Sequence, residues 1–389
     1  MVNEFKIARI PIIHFGPGII KILPEILSVH KGRIMLLISK SLEESTSQLA
    51  AIESRLSTLN IDFDKIQIHG EPTVSIIDGI TEQFRHQNIK AICSIGGGSA
   101  IDAGKAVSAM LLENGSIQDF LEGIGTKQLS GNKVPFIAIP ATAGTGSEAT
   151  KNAVISGSGT PGFKRSLRHE NYVPDIAIID PELSSSCTPE TTAASGMDAF
   201  TQLMESYFST NSNPFTDSLA LNGLAFIRDS LLPAYDDGNN ISARTGMAFA
   251  ALNSGITLAN AGLGVVHGFA SSIGGKFEIP HGVICGTLLA EANRANIEII
   301  RSENAMEMMG KLSVVAKLFT PDSARSEADR INEFSDLLFN WTLKLKLPGF
   351  GAYGMKNSDV QGIVRITDQK YNPVKLPERL LTSMVMNRI

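Results

Sequence analysis

The chain has 389 residues, of which 43% are hydrophobic and 19% are charged, and its formal net charge is −5. This length predicts two domains with a large buried core, and the weakly acidic balance excludes a basic footprint for nucleic acid or anionic membranes. No apolar run approaches a membrane span, and the N-terminus lacks the apolar stretch of a signal peptide. Cys93, Cys187 and Cys285 show neither a disulfide framework nor C-x-x-C spacing, so we expect a reducing compartment and a cytoplasmic protein.

The first half of the sequence alternates short apolar runs with helical patterns. Four runs rich in β-branched residues predict strands, at residues 33–39, 89–95, 134–140 and 176–180. Helical patterns lie between some of them, at residues 42–59 and 74–86. Strand, helix and strand in this order predict a parallel sheet with right-handed crossovers.

The character of the sequence changes near Pro181. Strand signals largely disappear beyond this point, and long amphipathic helical patterns replace them. We therefore expect an α/β domain with a parallel, Rossmann-like sheet over residues 1–180 and an all-helical domain over residues 181–389. Clefts between such domains are common places for ligand sites.

A glycine-rich turn joins the second predicted strand to a helix. The sequence GGGS (residues 96–99) follows directly on the strand, and the helix is expected to start near Ala100. Glycines let a phosphate approach the backbone, and a helix N-terminus at the carboxyl end of a parallel strand offers free N–H groups. The turn is not a G-x-G-x-x-G fingerprint. The alternative is an ordinary helix start, with Ser99 as N-cap and Asp102 three residues later.

A second loop with a similar character follows the third predicted strand. Residues 141–148 (ATAGTGSE) place three hydroxyl groups and two glycines at the strand end. Hydroxyl groups and backbone amides of this kind bind phosphate and ribose, although an ordinary polar loop is the alternative. Two such loops on one sheet favour a dinucleotide site.

Four motifs occur in a fixed order over nearly the whole chain. They are GGGSAID (96–102), PATAGTGSE (140–148), GMDAFTQLMESY (196–207) and GLGVVHGFASSIGGKFEIPHG (262–282). Together they resemble the iron-containing (group III) alcohol dehydrogenases. The resemblance implies a dehydroquinate synthase-like architecture, with a nucleotide-binding α/β domain followed by a helical domain. It also implies a homodimer in which NAD or NADP exchanges a hydride with a primary alcohol or aldehyde, aided by a divalent metal in the interdomain cleft.

The same resemblance assigns the cofactor to the two loops and to nearby positions. The residues that it implies are Gly97, Gly98, Ser99, Asp102, Thr142, Thr145 and Lys164. Lys164 lies in a loosely patterned loop, and a solvated lysine is the alternative there. Ser39, with Lys40 beside it, stands where NAD users of the family often carry an aspartate. A neutral residue removes repulsion of a 2′-phosphate, so we predict that NADP is accepted, and a solvated turn without selectivity is the alternative.

The implied metal site departs from the family's pattern. The positions that match the family's metal ligands, of which all but the first are usually histidine, are Asp198, Gln202, His267 and His281. The first two stand at i and i+4 of one helix that starts near Thr188 and Pro189, and they share a face. We expect His281 to lie in a turn after Pro280. Ser271 stands where the family usually carries a further histidine.

One carboxylate and two imidazoles remain, a set that suits Fe²⁺ or Zn²⁺. The resemblance makes Asp198, His267 and His281 the catalytic residues, because the metal would act as a Lewis acid on the substrate oxygen. Gln202 would add a weak amide oxygen or leave its position to water. We therefore expect weak metal binding, and tighter binding in Gln202→His. The alternative is that both histidines are buried and hydrogen-bonded without a metal.

Three other functions stay open at this point. They are a metal-independent reductase of the same superfamily, a lyase resembling dehydroquinate synthase that uses NAD transiently, and a catalytically silent nucleotide-binding protein. Metal analysis separates the first from a metal-dependent dehydrogenase, and net NAD(P)H turnover separates the other two. The expected partner is a small alcohol or aldehyde, with neither nucleic acid nor membrane.

Overall fold

The computed structural model describes residues 4–45, 48–157, 162–321 and 326–389. The chain divides into two compact units. The sheet unit consists of Ala8–Cys187 and Gly238–Ala248. The helical unit consists of Thr188–Asp237 and Phe249–Ile389, together with the N-terminal stretch up to Ile7.

The sheet unit is built around a parallel six-stranded sheet. In chain order its strands are β1 (Ile12–Phe15), β2 (Ile34–Ser39), β3 (Phe63–Ile68), β4 (Ala91–Gly96), β5 (Phe136–Pro140) and, after a separate hairpin, β8 (Ile176–Ile179). Their spatial order is β1-β8-β5-β4-β2-β3, and every neighbouring pair is parallel. The hairpin pairs β6 (Asn152–Gly157) with β7 (Phe163–Arg168) in antiparallel fashion. The predicted parallel sheet is confirmed.

Helices cover the sheet because its strands are apolar on both faces. These helices are α1 (Leu23–Ser28), α2 (Lys40–Ser45), α3 (Gln48–Thr58), α4 (Val74–Phe84) and α5 (Gly98–Met110). In β2, Met35 and Leu37 belong to one apolar cluster, whereas Leu36 and Ile38 belong to another. Alternate strand residues point to opposite faces, so the two clusters are the two cores of a three-layer unit.

The sequence patterns located most elements of this unit. The four predicted strand runs correspond to β2, β4, β5 and β8, and the pattern over residues 74–86 corresponds to α4. The predicted helix over residues 42–59 corresponds to α2 and α3, and residues 46 and 47 lie outside the described residues. β1, β3 and the hairpin were not predicted.

The sheet reverses its direction of growth between β2 and β4. β3 lies on one side of β2, and the chain then crosses to the other side to form β4 and β5. The loops at the carboxyl ends of β2 and β4 therefore diverge from each other. In open parallel sheets this switch point is where ligands bind.

The chain after Thr188 is helical, and its described residues contain no strand. Its helices are α6 (Pro189–Phe208), α7 (Pro214–Asp236), α8 (Ile241–Ala261), α9 (Val265–Gly274), α10 (His281–Ser302), α11 (Met306–Phe319), α12 (Glu327–Lys344), α13 (Val360–Ile366) and α14 (Glu378–Met386). α6 begins as expected, since Thr188 accepts a hydrogen bond from the backbone N–H of Thr191 and Pro189 opens the helix. Within the described residues no single helix could cross a membrane, and α8 with α9 meets the length and apolarity test only as a bent pair.

Candidate active site

Four side chains with metal-binding atoms meet in the helical unit. Asp198 comes from the middle of α6, His267 from the first turn of α9, and His281 and Cys285 from the first two turns of α10. One potential ligand atom of each lies within 4.8 Å of the corresponding atoms of the other three. The structure thus brings Asp198, His267 and His281 together and adds Cys285.

The atoms of this cluster face one another. Asp198 Oδ1 lies 3.4 Å from His267 Nε2 and 3.6 Å from His281 Nε2. Cys285 Sγ lies 3.6 Å from each of these two nitrogens. Asp198 Oδ1 is fully buried and has no hydrogen-bond partner among the described residues. Because a buried oxygen without a partner is costly, this arrangement fits a bound cation.

Within the cluster, neighbouring groups favour the charged forms of Asp198 and His267, although both side chains are buried. Burial alone would raise the pKa of Asp198, but the imidazoles of His281 and His267 outweigh burial and hold that pKa below its ordinary value. Burial alone would lower the pKa of His267, but Cys285, Asp198 and Glu205 outweigh burial and raise that pKa well above its ordinary value. The cluster therefore attracts positive charge.

Glu205 fixes the orientation of His267. Its Oε2 lies 2.6 Å from His267 Nδ1, and its Oε1 accepts a hydrogen bond of 2.6 Å from the backbone N–H of Val266. With Nδ1 engaged in this way, Nε2 is the ring nitrogen that faces Asp198 and Cys285. Sequence analysis missed Glu205, although it stands seven residues after Asp198, two turns along the same face of α6.

The two positions that depart from the family's pattern have partners within the protein. Gln202 is buried, and its Oε1 accepts a hydrogen bond of 2.8 Å from Ser254 Oγ. Ser271 is exposed, and its hydroxyl donates a bond of 3.0 Å to the carbonyl of His267. The Ser254 hydroxyl has one proton and also lies 2.8 Å from the carbonyl oxygen of Ala251, so this contact does not exclude Gln202 from binding a metal, and its role as a metal ligand stays a prediction.

The expectation for His281 was wrong. His281 is the first residue of α10, with Pro280 as the N-cap, and it does not lie in a turn. Pro280 has an extended backbone, with φ −55° and ψ 135°, and the helix begins at the next residue. Recognising this start would have revealed Cys285, which stands at i+4 from His281 on the same helical face.

A second set of predicted residues lies at the carboxyl edge of the sheet. The ends of β2, β4 and β5 are neighbours, with Gly96 in register with Pro140. A Cβ added to Gly96 would lie 2.8 Å from the side chain of Ser39, which shows how closely the first two strand ends pack. The loops that follow β4 and β5, residues 96–99 and 141–148, thus lie side by side next to the switch point.

The glycine-rich turn forms the N-terminus of α5. Gly97 is the N-cap and Gly98 the first helical residue, so the alternative with Ser99 as N-cap was wrong. A Cβ on Gly97 would lie 3.4 Å from Thr142, an ordinary contact. A Cβ on Gly98 would lie 2.7 Å from Thr145 Oγ1. Gly98 is therefore needed for packing within the protein, whereas Gly97 leaves room at the open helix end.

A buried lysine ties α5 to the second loop. Lys105 is 0% exposed, and its Nζ donates to the carbonyl oxygens of Ser147 at 2.8 Å and Asn152 at 2.7 Å, and to Thr150 Oγ1 at 3.1 Å. Burial lowers the pKa of Lys105 to about 8, although Asp102 counteracts this effect. Lys105 was not predicted from the sequence, where its signal was a lysine in a helix whose one other charged residue is Asp102.

Two of the predicted cofactor residues also have protein partners. Asp102 accepts hydrogen bonds from the Ser147 hydroxyl and, at 2.9 Å, from the backbone N–H of Val154. Lys164 lies in β7 instead of the expected loop, and its Nζ is 2.6 Å from Glu71 Oε1. Asp102 and Lys164 thus each make a contact that involves the hairpin of β6 and β7. A contact of either residue with a cofactor stays a prediction.

Comparisons with known proteins agree with this geometry. The family described as iron-containing alcohol dehydrogenase matches residues 11–181, and the Fe-containing alcohol dehydrogenase family, C-terminal, matches residues 192–387. Alcohol dehydrogenase 4 of Saccharomyces cerevisiae is 36% identical over 244 residues, which cover 63% of this chain and 62% of the yeast protein. The NAD-dependent methanol dehydrogenase of Bacillus methanolicus is 28% identical over 351 residues, covering 89% and 88% of the two chains.

The fold is shared with a solved structure over its full length. The crystal structure of a 1,3-propanediol oxidoreductase superposes with a TM-score of 0.89 at 26% identity, and the match covers 100% of both chains. The resemblance seen in the sequence motifs is confirmed by these matches. The chain belongs to the iron-containing alcohol dehydrogenase family.

Proposed function

We propose that the protein is a nicotinamide-dependent alcohol dehydrogenase acting on a small primary alcohol or its aldehyde. In oxidation, a hydride leaves the carbinol carbon for C4 of the nicotinamide, and the hydroxyl proton passes to solvent; reduction is the reverse. The observation that carries the proposal is the buried Asp198 oxygen without a partner, surrounded by His267, His281 and Cys285. Such a set of donors fits the divalent metal that this family uses.

The chain's own residues determine where that metal would act. Asp198, His267 and His281 would hold it, and Glu205 keeps the His267 ring turned toward the site. A divalent ion there would supply Lewis-acid stabilisation of negative charge on the substrate oxygen. Asp198 and His267 are buried, whereas the side chain of His281 is 40% exposed. We infer that substrate approaches from the side of His281.

The remaining polar group beside the site is a hydroxyl. Ser271 lies one turn after His267, is exposed, and replaces the further histidine that the family usually carries. We assign exchange of the substrate proton to this hydroxyl and to solvent water. Proton exchange needs no strongly basic side chain here, because the negative charge on the substrate oxygen would already be stabilised.

The cofactor is assigned to the switch point of the sheet. The pyrophosphate would lie at the N-terminus of α5, at Gly97 and Ser99, with Thr142 and Thr145 from the neighbouring loop as further hydrogen-bonding groups. Asp102 and Lys105 would act through the loop that they hold. The position of the cofactor is supported by the space beside the backbone at Gly97. The kind of cofactor is supported by the Bacillus methanolicus relative, which is named as NAD-dependent.

Several further properties are proposed on the family resemblance. We take residues 1–180 and 181–389 as the two functional domains, a homodimer as the assembly, and the cytoplasm as the location. All three cysteines are free, as a reducing compartment requires. Sedimentation velocity of the purified protein would test the assembly directly.

The decisive experiment is a turnover assay on the full chain. A panel of short alcohols and aldehydes is tested with NAD(H) and NADP(H), before and after treatment with a chelator, and the products are identified. Net cofactor turnover that is lost with the metal and restored by one added divalent ion per chain supports the proposal. Full activity of verified metal-free protein would establish a metal-independent reductase. Product formation without net cofactor turnover would establish the lyase, and cofactor binding without any reaction a silent protein.

A further inference from the structure

Cys285 occupies a ligand position that the family's pattern does not assign. Its side chain is buried at the second turn of α10, directly above His281. Its sulfur lies 3.6 Å from the Nε2 atoms of both His267 and His281. The other two cysteines are elsewhere, since Cys93 lies in β4 and the Cys187 thiol is bonded to the carbonyl of Ala141 in the sheet unit.

Four of the distances between the donor atoms are those expected for ligands around one tetrahedral ion. Bonds of about 2.0–2.2 Å to nitrogen or oxygen and about 2.3 Å to sulfur place neighbouring N and O ligands about 3.4 Å apart, and N and S ligands about 3.6 Å apart. The observed O–N distances of 3.4 and 3.6 Å and the two N–S distances of 3.6 Å have these values. The donor atoms of Asp198, His267, His281 and Cys285, which all lie within 4.8 Å of one another, therefore surround a space of the size that one metal ion needs.

Gln202, by contrast, has a contact with another part of the helical unit. Its Oε1 accepts the 2.8 Å hydrogen bond from Ser254 in a buried environment. Binding a metal through this oxygen would weaken that bond, and an amide oxygen is a poorer donor than a thiolate for zinc. The fourth position does not need Gln202.

We propose that Cys285 binds the metal as a thiolate in place of the imidazole missing at position 202, and that this makes the site selective for zinc or cobalt over iron. The proposal rests on the proposed function, whose metal it specifies. The thiol proton is released to solvent as the sulfur–metal bond forms. Asp198 and Cys285 then contribute two negative charges, which neutralise a divalent ion, and a soft thiolate favours zinc and cobalt over ferrous iron.

The test uses cobalt, because thiolate coordination to Co²⁺ has its own optical signature. The full chain is stripped of metal, titrated with Co²⁺, and followed by absorption in the visible and near-ultraviolet ranges. We expect one Co²⁺ per chain, visible bands of a tetrahedral ion, and a thiolate-to-cobalt charge-transfer band that saturates at the same point. The band should vanish in Cys285→Ser and persist in Cys187→Ser, the matched control.

Zinc affinity gives a second readout that is independent of activity. In competition with a chelating dye, Cys285→Ser should bind zinc about 100-fold more weakly, whereas Gln202→Ala should change the affinity by less than about 3-fold. Purified parent protein should carry zinc when zinc and iron are supplied equally. The parent spectrum requires no variant, so the proposal stays testable even if Cys285→Ser folds poorly.

The outcomes of these experiments test the role of Cys285 separately from the proposed metal-dependent dehydrogenase function. Tetrahedral cobalt bands without a charge-transfer band, or unchanged zinc affinity in Cys285→Ser, would overturn the role of Cys285 and leave the metal-dependent dehydrogenase standing. If the parent binds iron but neither cobalt nor zinc, the thiolate ligand alone is overturned. If it binds no divalent metal at all, the metal-dependent function is overturned as well.

Discussion

The two candidate sites of this protein are built in different ways. The loops at the sheet's switch point rely on backbone: a helix N-terminus at Gly97 and neighbouring strand ends. The metal centre relies on side chains from three helices, α6, α9 and α10, that are distant in the sequence. The first type is retained by a short local motif, so it matches the family closely. The second depends on how three helices pack, because its donor atoms meet only after the helices have docked.

The largest expected effect is at the metal centre. His267→Ala removes a ligand and the partner of Glu205, so metal binding should be lost and kcat/KM should fall by about 10³-fold or more. Elemental analysis and steady-state kinetics on the same preparation measure both. The control is Asp229→Asn, a change on an exposed residue of α7 in the same unit. Retention of metal and activity in His267→Ala would show that this cluster is not the active site.

Lys105 tests how far the backbone-built site depends on one side chain. Lys105→Met removes the hydrogen bonds that Nζ donates to the buried carbonyl oxygens of Ser147 and Asn152, and we expect it to lower the free energy of unfolding by about 3 kcal/mol and to weaken cofactor binding. Denaturant unfolding and fluorescence titration with NADPH measure the two effects. Lys164→Met removes an ion pair that is partly exposed, and it should cost less than about 1 kcal/mol. An equal loss of unfolding free energy in Lys105→Met and Lys164→Met would contradict the role given to the buried lysine.

Glu205 tests the support of the side-chain-built site. Glu205→Gln weakens the contact that orients the His267 ring, so we expect zinc affinity to fall by about 10- to 100-fold with little loss of helical structure. Competition with a chelating dye and circular dichroism follow the two properties. Glu298→Gln, on the exposed part of α10, serves as the control. Unchanged zinc affinity in Glu205→Gln would mean that the ring is held by its other contacts.

Gly97 isolates the phosphate contact from internal packing. A methyl group on Gly97 fits beside Thr142, so Gly97→Ala should leave the melting temperature nearly unchanged while raising the Kd for cofactor by about 10-fold. Gly98→Ala is the informative contrast, because its Cβ would collide with Thr145 and should reduce stability as well. An unchanged Kd for cofactor in Gly97→Ala would contradict the assignment of the pyrophosphate to this helix N-terminus.

The smallest expected effect concerns the choice between cofactors. Ser39 ends β2 beside the glycine-rich turn, and Lys40 follows at the start of α2. Ser39→Asp places a negative charge where a 2′-phosphate would lie, so the ratio of kcat/KM for NADPH over NADH should fall by about 10-fold. Matched steady-state assays give this ratio, and Ser41→Asp, two residues further along the chain, is the control. A strong preference of the parent for NADH would contradict the predicted use of NADP.

Local patterns determined much of this protein without tertiary information. The apolar runs that became β2, β4, β5 and β8 are buried strands, whose continuous hydrophobicity is visible in the sequence. The two glycine-containing loops are continuous segments that follow such strands. The strands that were missed are short or polar: β1 has four residues, and half of the six residues of β3 are the polar Asp64, Lys65 and Gln67. Edge strands of this kind carry a weak sequence signal because only part of their surface is buried.

Tertiary structure decided which side chains meet at the candidate metal site. The sequence indicated Asp198, His267 and His281 through the family's motifs, and it pointed to Gln202 as the weak fourth position. It did not indicate that Cys285 would meet the two histidines or that Glu205 would hold one of them. Both relations depend on where α10 begins and on how α6, α9 and α10 pack, because side chains from three helices converge only after the helices have docked.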